Sequence, residues 1–294
     1  MMTGVLFSVL ASCVFGVLYL YSSLLQGLDP QQVFGWRIVA TLPFIALFAV
    51  VFGDWKFIVE IYQRLKQKPL LLLGLMATSI LGSLQLWLFM WGPIQGRGLQ
   101  VSLGYFLLPL VMVLIGRVFL KEELSRFQTT AVIFATIGVA YEIYRVGQLS
   151  WETWLVALGY AAYFWLRKAI NTNHLGGFFW DLLLILPIAF YFISTSPFAT
   201  LAPLHFSAVM LGFGALSALG LGSYILASRY LSFSLFGLLS YLEPVLLATA
   251  SFMLGEKIAA DEWLTYILIW CAVAFLAIDG YLAMRLARHK NITH

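Results

Sequence analysis

Charge is what this sequence is shortest of. Only 10% of its 294 residues are Asp, Glu, Lys or Arg, against roughly 25% in a soluble domain. A chain so poor in charge cannot clothe itself in water-compatible surface, which excludes a soluble globular fold. Cysteine is nearly absent too. Cys13 and Cys271 both fall inside apolar runs with no second ligand set, so they read as small packing residues, not as a disulfide or metal pair. The four histidines, His174, His205, His289 and His294, are scattered outside those runs. There is no His-Glu-x-x-His, no Gly-x-Ser-x-Gly and no Gly-rich phosphate loop ending in Lys. The sequence therefore calls for no metal and no cofactor, and it carries no ATP-driven motor of its own.

What is present is apolar length. Hydrophobic residues make up 62% of the chain and mean hydropathy is +0.93. About 30 Å of hydrocarbon needs roughly 20 apolar residues of helix. Ten segments meet that need, near 3–25, 33–52, 70–91, 99–119, 127–145, 151–168, 178–196, 205–227, 232–254 and 263–284. They leave only short loops and no room for a soluble domain. The expected fold is thus an all-α integral membrane protein of ten transmembrane helices, with the lipid bilayer as partner. The first segment has no basic n-region and no small-residue cleavage site, so it reads as a span and not a signal peptide.

Orientation follows from the cations. With the N-terminus in the cytoplasm, the inner side holds Lys56, Arg64, Lys66, Lys68, Arg117, Lys121, Arg126, Arg167, Lys168, Arg229, Arg285, Arg288 and Lys290. The outer side holds Arg97, Arg145 and Lys257, and Arg37 lies within a span. That bias obeys the positive-inside rule and places both termini in the cytoplasm. The net charge of +4 is then a matter of topology, with no case for nucleic acid.

A short run recurs in the second half with one charge reversed. Phe34-Gly35-Trp36-Arg37 with Leu42-Pro43 returns 144 positions later as Phe178-Phe179-Trp180-Asp181 with Leu186-Pro187. Pro109 with Glu122 and Pro244 with Glu256 form a second pair, with Tyr105 and Tyr241 shortly before each proline. Five spans per copy is an odd number, so the second copy enters the membrane from the opposite side. The expectation is two inverted five-helix repeats, 1–147 and 148–294, the construction of many secondary transporters.

Polar side chains in lipid are expensive and so informative. Glu243 sits about eleven residues from either end of the ninth span, directly before Pro244. Either it binds a proton or a cationic group near the midplane, or it stays neutral and donates to a freed carbonyl. Arg37 and Asp181 lie near opposite mouths, where they gate, steer a solute or merely snorkel to the interface. Pro43, Pro109, Pro187 and Pro244 mark bends, lining a cavity or simply kinking a packed helix. Helical spacing gathers Ser79, Ser83, Trp87 and Trp91; Ser102, Tyr105 and Pro109; Tyr160, Tyr163 and Arg167; and Ser217, Leu221, Tyr224 and Ser228. Such stripes form an aromatic and hydroxyl-lined cavity for an amphipathic or aromatic small organic solute, or else an interfacial belt with interhelical hydrogen bonds. The belt explains Trp91, Trp151 and Trp263 at span ends. Mid-span Trp87, Tyr105, Tyr224 and Tyr241 favour the cavity. Gly214, Ala218 and Gly222 read as a helix-packing stripe.

Ser102-Leu103-Gly104-Tyr105-Phe106 with Pro109, then Leu120-Lys121-Glu122, resembles the fourth-span signature of the RarD family, in the EamA branch of the drug/metabolite transporter superfamily. Leu166-Arg167-Lys168, Arg229-Tyr230-Leu231-Ser232-Phe233-Ser234, Tyr241-Leu242-Glu243-Pro244 and Gly255-Glu256-Lys257 are similar to that family's later motifs. The resemblance implies two inverted five-helix repeats, a central cavity lined mainly by the third, fourth, eighth and ninth spans, and alternating access that exports drugs or metabolites. An uncoupled facilitator or a nutrient importer of the same fold is the alternative. The chain departs from the family in Trp36-Arg37 for His-Arg, in Gln85-Leu86 for Asn-Trp and in Gln100 for Glu, and its seventh-span acid is Asp181. The resemblance puts Gln85 at or near the cavity, whereas protons are a candidate partner through the midplane position of Glu243 itself. An intramembrane enzyme acting on lipid-like substrates would need a nucleophile, an acid–base pair or a metal triad at one depth, and the sequence offers none.

Overall fold

Inside a bilayer a backbone has no water to bond, so each apolar run must satisfy its own amides as a helix. The computed structural model describes residues 2–21, 29–95, 97–195, 203–246 and 260–292 and is all-helical across them. The helices are α1 (Met2–Tyr21), α2 (Pro30–Val51), α3 (Trp55–Gln67), α4 (Leu71–Ile94), α5 (Gly98–Val118), α6 (Arg126–Val146), α7 (Trp151–Ala169), α8 (Leu175–Thr195), α9 (Pro203–Tyr230), α10 (Phe233–Leu239) and α11 (Trp263–Ile292). After α10 the chain breaks at residues 240 and 241 and resumes as helix over 242–246. Six described stretches are long and apolar enough to cross a membrane: Pro30–Val51, Leu71–Gly92, Gln100–Val118, Leu175–Thr195, Ser207–Tyr230 and Trp263–Leu282. Met2–Leu18 and Phe233–Leu246 are shorter apolar helices. The protein is a multi-pass membrane protein.

Local chemistry sets the helix ends. Asp29 caps α2 by accepting from the Gln32 amide at 3.3 Å, with Pro30 in the first turn. Ser125 and Gln128 form a capping box on α6. Both also donate to Asp279 of α11, at 2.7 and 2.8 Å. Pro43, Pro109 and Pro187 lie inside helices that continue through them. Pro244 follows the break at 240–241 instead.

One element differs from the sequence expectation. Residues 55–67, read above as part of an inner loop, are helix α3. Ile58 and Ile61 are buried on one side, while Lys56, Lys66 and Gln67 face outward. At 13 residues it is too short to span, and its charge had made it look like loop. Amphipathic pattern, not mean hydropathy, is the relevant signal for such an interfacial helix. The stretch carrying Glu256 and Lys257 lies outside the described residues.

The bundle interior is built by close helix pairs: α1 with α9, α2 with α8 and α9, α4 with α7 and α8, α5 with α7 and α10, and α6 with α11. Small residues allow the close approaches. A Cβ on Gly35 would stand 2.7 Å from the Ala189 carbonyl oxygen, and one on Gly214 would stand 2.6 Å from the Ala40 Cβ. Cys13 is exposed, so it does not pack in the core as its position in an apolar run had implied.

Side-chain bridges define two ends. At one, Asp54 after α2 pairs with Arg229 of α9 at 2.9 Å and accepts from the Leu175 amide at 3.1 Å. There Glu122, just beyond α5, accepts from the Phe233 and Ser234 amides at the start of α10, both at 2.7 Å. At the other end Arg97 pairs with Glu152 at 2.6 Å, and Arg145 reaches Asp261 and Glu262 at 3.1 Å each. Lys56, Arg64, Lys66, Lys68, Arg117, Lys121, Arg126, Arg167, Lys168 and Arg229 all belong to helix ends or turns of the first, basic end.

Candidate functional site

A small, partly open space lies between residues of the two halves of the chain. It is lined by Phe15 of α1, Arg37 of α2, Leu86 and Phe89 of α4, Tyr105 of α5, Tyr160 of α7, Leu221 and Tyr224 of α9, and Glu243 after the α10 break. Its volume is about 20 Å³, room for about one water molecule.

Arg37 is the most informative lining residue. It is only 3% exposed, which eliminates the snorkelling alternative. Its Nε donates to Ser217 Oγ on α9 at 3.1 Å. The guanidinium carbon stands 5.3 Å from the Phe213 ring centre and 5.9 Å from that of Phe89, within cation–π range. Nη1 is buried with no hydrogen-bond partner. Across the same space Glu243 sits on a chain that has just broken helix, its amide donating to Ser240 O at 3.1 Å. Arg37 and Glu243 form no ion pair with each other, and no described residue hydrogen-bonds the Glu243 carboxyl group. A guanidinium and a carboxyl group thus line one cavity without pairing with each other.

The walls are aromatic and mutually braced. Phe89 meets Tyr105 edge-on at 6.2 Å, and Tyr105 lies 6.1 Å from Tyr160. Tyr224 is held by Phe15 at 5.7 Å, Phe164 at 5.5 Å and Phe236 at 4.6 Å. Such rings have little freedom to leave, so the cavity has a defined shape.

Of the candidates read from sequence, Tyr105, Tyr160, Tyr224 and Glu243 meet here, joined by Arg37. The others lie elsewhere. Tyr241 is fully buried in a different cluster and donates to the Phe106 carbonyl at 3.0 Å. Gln85 is buried with its Nε2 donating to Leu155 O at 2.8 Å. Trp87 stacks on Trp91 at 5.1 Å, and Ser102 is exposed. Tyr163 has its hydroxyl engaged with Asp181. Helical spacing places a residue on a face but not the partner its polar atom finds there: Tyr241, Trp87 and Tyr163 are engaged elsewhere, and Gln85 is tied by its Nε2 while its Oε1 is buried without a partner. The lining residues missed are Phe15, Leu86 and Phe89. Their apolar chemistry is indistinguishable in sequence from that of any other core position.

Asp181 belongs to a second buried network, towards the basic end. It accepts from Thr78 Oγ1 at 2.6 Å and Tyr163 OH at 3.0 Å, and it is ion-paired with Arg167. Arg167, wholly buried, donates to the carbonyls of Thr172 and His174 at 2.6 and 2.8 Å. His174 lies in the turn before α8, stacked on Phe57 at 4.3 Å, with Nδ1 accepting from the Gly177 amide at 3.1 Å. Burial, and then the Arg167 and Arg229 guanidinium groups, push its pKa down to about 4 against the pull of Asp54. The imidazole is therefore neutral near pH 7. Among the described residues no group of three His, Cys, Asp or Glu side chains is placed to hold a metal.

Residues 2–142 match the EamA-like transporter family. An uncharacterized transporter of Haemophilus influenzae is 38% identical over 95% of this chain and 95% of its own length. The chloramphenicol-sensitive protein RarD of Pseudomonas aeruginosa is 38% identical over 98% of both chains. The chain belongs to the EamA-like transporter family, in its RarD-type group. Protein RarD of Escherichia coli is more distant, 26% identical over 96% of each chain. A solved crystal structure overlays with a TM-score of 0.67 at 16% identity, over 97% of this chain and 99% of that one, so the fold is shared beyond recognisable sequence similarity. As an EamA-like protein of bacterial type, the chain is a membrane transporter of the drug/metabolite class and not an enzyme.

Proposed function

We propose that this EamA-like protein is a secondary transporter of small organic solutes in the bacterial cytoplasmic membrane, working by alternating access as an exporter or exchanger. The observation that carries the reading is the pairing of Arg37 and Glu243 across one aromatic cavity without an ion pair between them. A buried ion without a full set of partners costs several kcal/mol even after relaxation, and the unpartnered Arg37 Nη1 is capacity that an anionic group on a solute would fill. The solute class that fits is an aromatic or amphipathic molecule offering an anionic group to Arg37 and a cationic or hydrogen-bonding group to Glu243. The rings of Phe89, Tyr105, Tyr160 and Tyr224 would flank its body.

A space of about 20 Å³ is far below the roughly 300 Å³ that a small organic ligand fills. Binding of such a ligand therefore requires the halves to part. Two inverted repeats, 1–147 and 148–294, give that motion its geometry. Helix pairing supports them: exchanging the halves maps the α1–α9 contact onto α7–α4 and the α2–α9 contact onto α8–α4. The α2–α8, α5–α10 and α6–α11 pairs map onto themselves. The ten-span count and cytoplasmic termini follow from the same scheme and from the cations gathered at one end. Arg37 then reads as part of the binding site itself, and Asp181 as part of the closure on the basic side.

The test is flux in proteoliposomes under an imposed pH gradient or potential, with solutes first found by thermal shift. Chloramphenicol is one probe, given the name of the Pseudomonas relative. Glu243→Gln is expected to lower flux at least about tenfold and to remove its dependence on the pH gradient, the loss of one charge-assisted contact being worth ~1.5–3 kcal/mol. Full flux with full pH dependence in that variant overturns the Glu243 role. Flux that follows the solute gradient alone in the unaltered protein, with both gradients collapsed, selects the uncoupled facilitator instead.

A further inference from the structure

A second, larger recess lies at the basic end, away from the central cavity. It occupies about 450 Å³ between the end of α3, the start of α4 and the end of α7. Its lining combines polar Arg64, Gln67 and Lys68 with apolar Leu70, Leu71 and Ile170. The Arg64 guanidinium is held in place by donating to the Ile170 and Asn171 carbonyls, at 2.7 and 3.0 Å, which fixes a cation at the rim. No described carboxylate pairs with Arg64, Lys66 or Lys68.

The surroundings define the ligand. Below the recess the outward ridge of α4 runs Leu70, Leu73, Met76 and Ile80, all exposed and spaced to lie on one helix face. On the same helix α3, Trp55 at its start and Tyr62 near its end are exposed, and the Lys66 Nζ lies 4.3 Å from the Tyr62 ring centre. Aromatics and lysines at a helix end, with an apolar ridge beneath, set this level as the membrane interface. A soluble anion would use the cations and leave the apolar lining of the recess uncovered. An anionic phospholipid uses both.

We propose that this recess binds an anionic phospholipid, its phosphate at Arg64 and Lys68 and its acyl chain along Leu70, Leu73, Met76 and Ile80. The bound lipid ties α3 to the α7–α8 turn, the same turn whose Thr172 and His174 carbonyls receive Arg167.

The experiment is thermal unfolding of the purified full-length protein in neutral detergent. It is titrated in parallel with phosphatidylglycerol, with phosphatidylcholine of the same chains and with inorganic phosphate. Phosphatidylglycerol is expected to raise the midpoint saturably, and the other two are not. Lys68→Gln, whose side chain is exposed and unpartnered, is expected to weaken the apparent affinity about fivefold, in line with the contribution of one interfacial cation. Arg64→Gln is expected to weaken it further, and Arg126→Gln, an exposed cation at the same end, to leave it unchanged. Equal stabilisation by phosphatidylcholine overturns the proposal, as does full stabilisation by phosphate alone. An equal loss in Arg126→Gln would replace a site with diffuse surface charge and also overturns it. None of these outcomes depends on solute flux.

Discussion

Arg37 and Asp181 stand at matching places in the recurring Phe-x-Trp motif, and both are 3% exposed, yet their surroundings differ. Asp181 is saturated: Thr78, Tyr163 and Arg167 all donate to it, and the Ser79 hydroxyl bonds its backbone oxygen at 2.6 Å. Arg37 has one side-chain hydrogen bond, two aromatic faces and a nitrogen with no partner. A buried charge whose hydrogen-bonding capacity is filled is an element of structure, because nothing is left for a ligand to offer. One with capacity left over is held ready for something that arrives later. On the function proposed above, the recurring motif serves two uses, a knot in the second half and a solute contact in the first.

The sharpest way to break that contrast is Asp181→Asn. It leaves Arg167 buried without its counter-charge, and stability is expected to fall by about 3–5 kcal/mol, read as the midpoint of thermal unfolding. Adding Arg167→Met should restore part of the loss, and failure to do so would deny that charge imbalance is the cause. Arg37→Gln is the opposite case. Removing an incompletely paired charge should leave the unfolding midpoint unchanged or higher, while flux of an anionic-group solute falls about 30-fold, equivalent to ~2 kcal/mol. A large drop in stability with flux retained would make Arg37 a second knot and erase the distinction.

The smallest expected effect concerns His174, beside the Asp181 network. Its folded pKa of about 4 lies below the ordinary 6.5, so between these values the unfolded chain takes up a proton that the native one refuses. Stability should therefore be whole above about pH 6.5, decline as pH falls toward 4, and level off below that. His174→Phe keeps the stack on Phe57 and removes the titrating group, so this share of the slope should vanish from unfolding midpoints measured across pH 4 to 7.

The membrane class, the two charges of the recurring motif and four lining residues were legible in the sequence, because charge in an apolar chain is rare and helical spacing is regular. Which of those charges would be satisfied was not. That depends on Thr78 and Arg167 approaching Asp181 from α4 and α7, a relation between distant segments that no local pattern records. Tyr163 and Tyr105 carry the same hydroxyl at comparable helical positions, yet one is consumed by Asp181 and the other faces the cavity. Helix α3 was hidden for another reason: its cations made it look like linker, when they are what holds it at the surface.

Glu122 has a mechanical implication. Both of its oxygens are engaged by successive amides at the start of α10, each at 2.7 Å, and a two-point clamp resists twisting as well as separation. The tip of α5 and the head of α10 are therefore riveted, although they come from different halves. Under the alternating access proposed above, rocking would pivot about that rivet, with the free travel left to the helices that are not fastened there.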